Sequence, residues 1–230
     1  MHGLAAVPEH SAMGSPMAKH FVPHDRRVPS HPDEAFTLPG YLPVSAAMIA
    51  VADPAGGAPN IMPLVAWAFL NRLPLYLGVS ICVNDYNKDY YPRGTYDLLR
   101  RTMDFTLNLP AEDLRDAVSE TGRLSRHKDP AVDKFAACGL HAGASRCISS
   151  PYIVECPISY ECVVRSIIHM GSHDLFLGEV VGCHTDGEVL EVITEAGSDH
   201  ITMRRDDGSL LELEWATLLR ARALEPEEES

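Results

Sequence analysis

A basic surplus is missing from this chain: 19 lysines and arginines stand against 32 aspartates and glutamates, a formal net charge of -13. Sequence-independent binding to DNA, RNA or anionic lipid needs cations that neutralise phosphates, so those partners are excluded, while a local basic pocket for one small anion is not. Long hydrophobic runs are missing too. The longest apolar stretch, 61–83, is broken by Asn71-Arg72 and by Pro63 and Pro74, so it cannot cross a bilayer as one helix. No continuous apolar segment of the signal-peptide kind opens the chain, and a cytoplasmic protein is the expectation. The six cysteines, at 82, 138, 147, 156, 162 and 183, form no CxxC pair and no Cys/His ligand cadence; they read as reduced thiols in apolar positions, with no metal site expected. Enzyme signatures are absent as well: no GxSxG, no HExxH, no P-loop and no GxGxxG after a strand. Gly56-Gly57 lacks the lysine and hydroxyl that a P-loop places downstream. Any chemistry the chain performs would therefore fall to a bound cofactor, with the protein supplying orientation and electrostatics.

What is present suits one soluble core. Hydrophobic residues make up 46% and charged residues 22% of 230, ordinary for a globular protein and enough for a single β-barrel or sandwich. Residues 1–35 carry His2, His10, His20, His24 and His31 among prolines and small residues with no hydrophobic period, the pattern of a flexible arm. Order is expected from Phe36. Short apolar strands are expected at 45–52, 61–70 and 75–83, the last two apolar enough to imply burial on both faces, with a polar loop at 84–94. Thr95 is placed to cap a helix reaching Thr102, 105–109 is a strand, and Pro110 and Asp129-Pro130 each open a short helix. Strands at 158–169, 175–184 and 189–194 follow, with Asp186-Gly187 as a turn. A C-terminal extension, 196–230, shows Leu211, Trp215, Leu218 and Leu219 at helical spacing.

The most informative stretch is Gly171-Ser172-His173-Asp174-Leu175-Phe176-Leu177-Gly178-Glu179-Val180. A polar turn presents a histidine and an aspartate and runs directly into an apolar strand. The strand before it alternates: Ile158, Tyr160, Cys162, Val164, Ser166 and Ile168 on one face, Ser159, Glu161, Val163, Arg165, Ile167 and His169 on the other. A histidine at such a hairpin tip is held by rigid neighbours, where barrels place ligand-contacting groups.

The order of segments resembles a known family. Asn60-Ile61-Met62 leads to Val65-Ala66-Trp67, Asn71, Pro74 and Val79-Ser80-Ile81, then Thr95-Tyr96-Asp97-Leu98-Leu99 and Asp104-Phe105-Thr106-Leu107-Asn108-Leu109. Val132-Asp133-Lys134-Phe135, Gly139-Leu140, Pro151 to Pro157, Glu161-Cys162 and the Gly171 to Val180 run complete it. This arrangement over roughly 38–185 resembles the flavin reductase-like, or flavoredoxin, family of FMN-binding split barrels. The resemblance implies a mainly β fold with inserted helices, a six-stranded Greek-key split barrel over 36–195, homodimeric, with FMN near the subunit interface and NADH or NADPH as electron donor. It implies that the strand 60–68, with Asn60, Met62, Pro63, Ala66 and Trp67, lines the flavin. Ser80, Cys82, Arg93 and Thr95 would hold the ribityl phosphate, and Lys134 and His173 would serve chemistry at the polar edge of the ring. A redox partner or monooxygenase is the implied acceptor beside free flavin.

Departures from the family pattern fall at the same places. Pro63 stands where relatives place a hydroxyl or small residue, one residue is added before Trp67, Cys82 replaces an arginine, and about eight residues, 83–90, are inserted. An aromatic C-terminal cover is not evident after 190. Three functions follow from this: a flavin reductase, an FMN-dependent electron carrier or biosynthetic or catabolic enzyme without flavin reductase activity, and a non-catalytic ligand-binding barrel.

Overall fold

The computed structural model describes residues 46–83, 93–195 and 198–214; the expected arm at 1–35 and most of the inserted loop lie outside them. Strand β1 (Ala47–Val51) is wholly apolar and wholly buried. It runs between β2 (Asn60–Leu64) and β5 (Asp104–Leu109), so both its edges are paired. Ala47, Ile49 and Val51 enter an inner core with Leu77, Val79, Phe105 and Phe176; Met48 and Ala50 enter an outer one with Ile61, Val118 and Phe135. A central strand covered twice loses the period-two pattern, hence the unbroken apolar run.

The main sheet adds β3 (Trp67–Arg72), β4 (Leu75–Cys82), β8 (Ile158–His169) and β9 (His173–Thr185) in the order β2-β1-β5-β8-β9-β4-β3, every pairing antiparallel. Its two edge strands, β2 and β3, are consecutive in the chain. Three Cα steps from Leu64 to Trp67 span roughly 11 Å at full extension, so the two edges must meet and the sheet must curl into a barrel split along one seam. Ala66 sits in that seam, its carbonyl accepting the Ser80 amide at 2.9 Å. The sheet thus has seven strands rather than six, because the run expected as one strand breaks at Val65-Ala66. Burial on both faces fails for β3, which is an edge strand with Phe69 and Leu70 about half exposed.

Bulges change the faces of β8. Register shifts between Glu161/Cys162 and between Val164/Ser166, so the inner face passes from Cys162 and Val164 to Ile167, while Ile168 is exposed. Helix α1 (Gly94–Thr102) buries Leu98 and Leu99 in the inner core, and Met103, at φ 53, ends it. Arg93, not Thr95, is its N-cap residue. The helix expected from Pro110 is a 3-10 turn at Glu112–Leu114 followed by α2 (Arg115–Arg123). The helix expected from Asp129 begins later, as α3 (Lys134–Ala137), because Asp129 closes a local turn onto the Ala131 amide and Asp133 caps Ala136. Two-residue strands β6 (Ala142–Gly143) and β7 (Tyr152–Ile153) pair beside β8.

A separate sheet holds β10 (Glu188–Glu195), β11 (Ser198–Arg204) and β12 (Leu210–Glu214). Leu210–Glu214, expected to start a helix, is instead a strand paired with β11, and the remainder of that expectation lies outside the described residues. Gly208, at φ +83, makes the hairpin turn between them, so Asp207-Gly208 outweighs the weak helical spacing. No helix among the described residues is long and apolar enough to cross a membrane.

Candidate functional site

At one mouth of the barrel the first turn of α1 meets the start of β2. Asn60 is 2% exposed, and its amide nitrogen donates to Thr95 Oγ1 at 2.6 Å. Asn60 Oδ1 is buried with no partner among the described residues, an acceptor left over where nearly all such atoms are satisfied. Thr95 is buried inside the first turn rather than capping it; the Arg93 side chain makes no capping bond, and the Tyr96 amide donates to Arg93 O at 2.8 Å. The first-turn amides and the helix dipole favour an anion.

Two cations adjoin this turn from different elements. Arg93 is the N-cap residue. Lys134, 5% exposed, donates to Ile61 O on the free edge of β2 at 2.9 Å and to Thr121 O near the end of α2 at 3.0 Å. A cation at a helix C-terminus meets carbonyls that have no partner in the helix. Burial lowers the Lys134 pKa from 10.5 to about 8, the neighbouring Cys138 opposes that, and Arg93 adds to it. His173 is lowered below 6.5, first by burial and then by Arg93. Among the described residues no carboxylate appears in either balance. Cations brought together without a counterion are unusual, because each raises the cost of its neighbour.

The β4–β9 ladder positions His173. Cys82 pairs with His173 and Ser80 with Leu175, so Ser80, Cys82 and His173 lie on one face of the sheet. Ser172 Oγ lies 2.8 Å from His173 Nδ1, and the Val83 amide donates to Ser172 O at 3.1 Å, tying the turn to the end of β4. Of the residues singled out in the sequence, Asn60, Arg93, Thr95, Lys134 and His173 converge, with Cys82 and Ser80 along the adjoining ladder. The others do not join them. Met62 and Trp67 pack against the inner core, Pro63 lies against Gly122 of α2, and Ala66 holds the seam.

Sequence reasoning missed a network beneath this turn. Asp174, 2% exposed, accepts from Tyr96 Oη and from His169 Nδ1, each at 2.8 Å, and so fastens α1 to the hairpin tip. Its position beside His173 was the available signal. On the face of β8 turned away from the inner core, Glu161 and His184 line a cleft of about 550 Å³ together with Tyr152, Cys147 and Cys183. The strand alternation set Glu161 on the face opposite Tyr160 and Cys162. It is in fact buried beneath the segment 144–151, whose amides it holds.

The curled sheet with its seam at Ala66, closed at one mouth by α1, defines a split barrel. Residues 41–196 match the family model described as "Flavin reductase like domain", and the chain belongs to that family. Among solved structures it is similar to nitrilotriacetate monooxygenase component B from Bacillus cereus, with 20% identity, a TM-score of 0.62, and 85% of this chain and 97% of that one covered. It is also similar to an FMN-binding protein from Thermus thermophilus, solved with bound 1-cyclohex-2-enone, with 23% identity, a TM-score of 0.58, and 86% and 98% covered. At these identities the likeness carries the fold. An uncharacterized protein of Archaeoglobus fulgidus is 29% identical over 123 residues, 54% of this chain and 63% of that protein. The chain spans less than two thirds of the length of the curated relatives it matches.

Proposed function

We propose that this protein is an FMN-binding oxidoreductase that takes electrons from NADH or NADPH and passes them, through bound flavin, to free flavin or to another acceptor such as a monooxygenase. The observation that carries the reading is the pair of cations, Arg93 and Lys134, beside the first turn of α1, with no carboxylate among the described residues in the Lys134 balance. A ribityl phosphate is the counterion this arrangement lacks. Bound FMN would supply the hydride-accepting ring, for which the chain offers no replacement of its own. The α1 amides, Arg93 and Lys134 would hold the phosphate. The orphaned Asn60 Oδ1 would accept from a ligand hydroxyl. His173, neutral near pH 7 and fixed at Nδ1 by Ser172, would offer its other ring nitrogen to the polar edge of the flavin.

A homodimer, in the cytoplasm, belongs to the same reading. Ser80, Leu175 and Ile168 form one row across β4, β9 and β8, on the face that also carries Cys82 and His173. Ile168 is 44% exposed there and Met170, just beyond it, 50%. An apolar sheet face of this kind is what a second subunit covers. A visible spectrum of the purified protein titrated with FMN, followed by NADH or NADPH, tests the function. A flavin band that the nicotinamide bleaches supports it, and failure to bind FMN removes it. Turnover of nicotinamide with and without free flavin separates a reductase from an electron carrier.

A further inference from the structure

Lys134 makes two hydrogen bonds, both to main-chain carbonyls. A protonated ammonium has three N–H donors and a neutral amine has two. Both carbonyls are therefore satisfied in either protonation state. Losing the proton breaks no bond that joins β2, α2 and α3; it removes only the third donor and the charge. Among the described residues the remaining titratable surroundings are sparse. Arg93, ahead of α1, disfavours the charge; Cys138, one turn along α3, favours it; Glu120 of α2 acts on Cys138; β2 offers only the Ile61 carbonyl.

We infer that Lys134 is a protonation gate for the anion site: the flavin phosphate is held by its third N–H, present only in the charged form, while the fold is indifferent to which form is there. The inference rests on the flavin reading above and adds to it how that site is regulated. The gate acts without conformational change, because the Lys134 stem and both carbonyl contacts stay in place. Its working range is set by burial and by Arg93, which bring the titration to about 8, and a bound dianion opposes both and draws the proton back. FMN binding above that pH accordingly takes up a proton.

The chain has four lysines, at 19, 88, 128 and 134. Carbon-13 labelling at lysine Cε therefore gives a resolvable NMR titration, with Lys134→Arg assigning the signal. In protein without flavin, one lysine should titrate near pH 8, far below the others. Saturating FMN should move that titration up by at least about one pH unit, and riboflavin, which lacks the phosphate, should leave it in place. Above pH 8, where the FMN phosphate is already a dianion, FMN affinity should fall by up to about tenfold per pH unit, and riboflavin affinity should not. FMN that binds while leaving the Lys134 titration unmoved overturns the gate and leaves the flavin reading standing. No FMN binding at pH 7, with Lys134 titrating near 8, removes the flavin reading and the gate with it.

Discussion

The cleft at Glu161 and the site at α1 treat buried charge in opposite ways. At the cleft, Glu161 is 1% exposed and fully partnered: the Arg146 and Cys147 amides donate at 2.8 and 2.7 Å, and His184 Nε2 lies at 2.6 Å. Burial pushes its pKa up, but the two amides and His184 outweigh that and hold the carboxyl below 4.5. Asp104 clamps the same segment through the amides and hydroxyls of Ser149 and Ser150. At the α1 site, among the described residues, Lys134 has carbonyl dipoles and a like-charged neighbour but no anion, and Asn60 Oδ1 has no partner. A saturated charge holds the fold together, whereas an under-satisfied one is strain that a ligand relieves. On the proposed reading, stability belongs to one site and binding to the other.

The largest expected effect breaks the saturated site. Glu161→Ala leaves two amides and an imidazole without their acceptor, and should cost about 3–5 kcal/mol in urea unfolding while FMN affinity measured on the remaining folded protein is unchanged. Loss of affinity without loss of stability would put the ligand at the wrong site. Arg93→Ala should reverse the pattern. Removing one charge-assisted phosphate contact should weaken FMN binding about tenfold or more and shift unfolding by less than about 0.5 kcal/mol.

Acid and base should separate the sites again. The folded Glu161 carboxyl titrates below its unfolded value, so its contribution is complete above pH 4.5 and is lost as pH falls through the folded value. Lys134 titrates lower in the folded protein than in the unfolded chain, so between about 8 and 10.5 the unfolded chain binds more protons and stability of the flavin-free protein should rise with pH. FMN affinity should fall over that same window. Urea midpoints and flavin fluorescence across the range check both slopes, and slopes of one sign would contradict the assignment. Smallest of all, His141→Ala, which removes an exposed side-chain contact with Glu155, should change unfolding by no more than about 0.5 kcal/mol.

Most of the sheet was legible from pattern. The wholly apolar β1, the alternating β8 and the polar turn before β9 each carry a local signal that survives into the fold. What escaped depends on contacts distant in sequence. The break at Val65-Ala66 falls where the chain passes from one edge of the sheet to the other, with Ala66 continuing the β3–β4 ladder onto Ser80, and β3 reads as buried although it lies at an edge. Thr95 looks like a cap until Asn60, 35 residues earlier, claims its hydroxyl. Asp207-Gly208 was a legible hairpin signal that the apolar spacing beyond it obscured. At the site, family order picked out Asn60, Arg93, Thr95, Lys134 and His173, which do converge. The bonds of Lys134 to Ile61 and Thr121 were invisible because backbone carbonyls leave no mark in a sequence.

The account rests on a phosphate-sized anion belonging at the first turn of α1. Paired equilibrium titrations with FMN and riboflavin at pH 7, followed by quenching of flavin fluorescence, test it most directly. FMN binding at least about tenfold tighter than riboflavin is the expected result, with the difference abolished in Arg93→Ala. Equal affinities for the two flavins would contradict it.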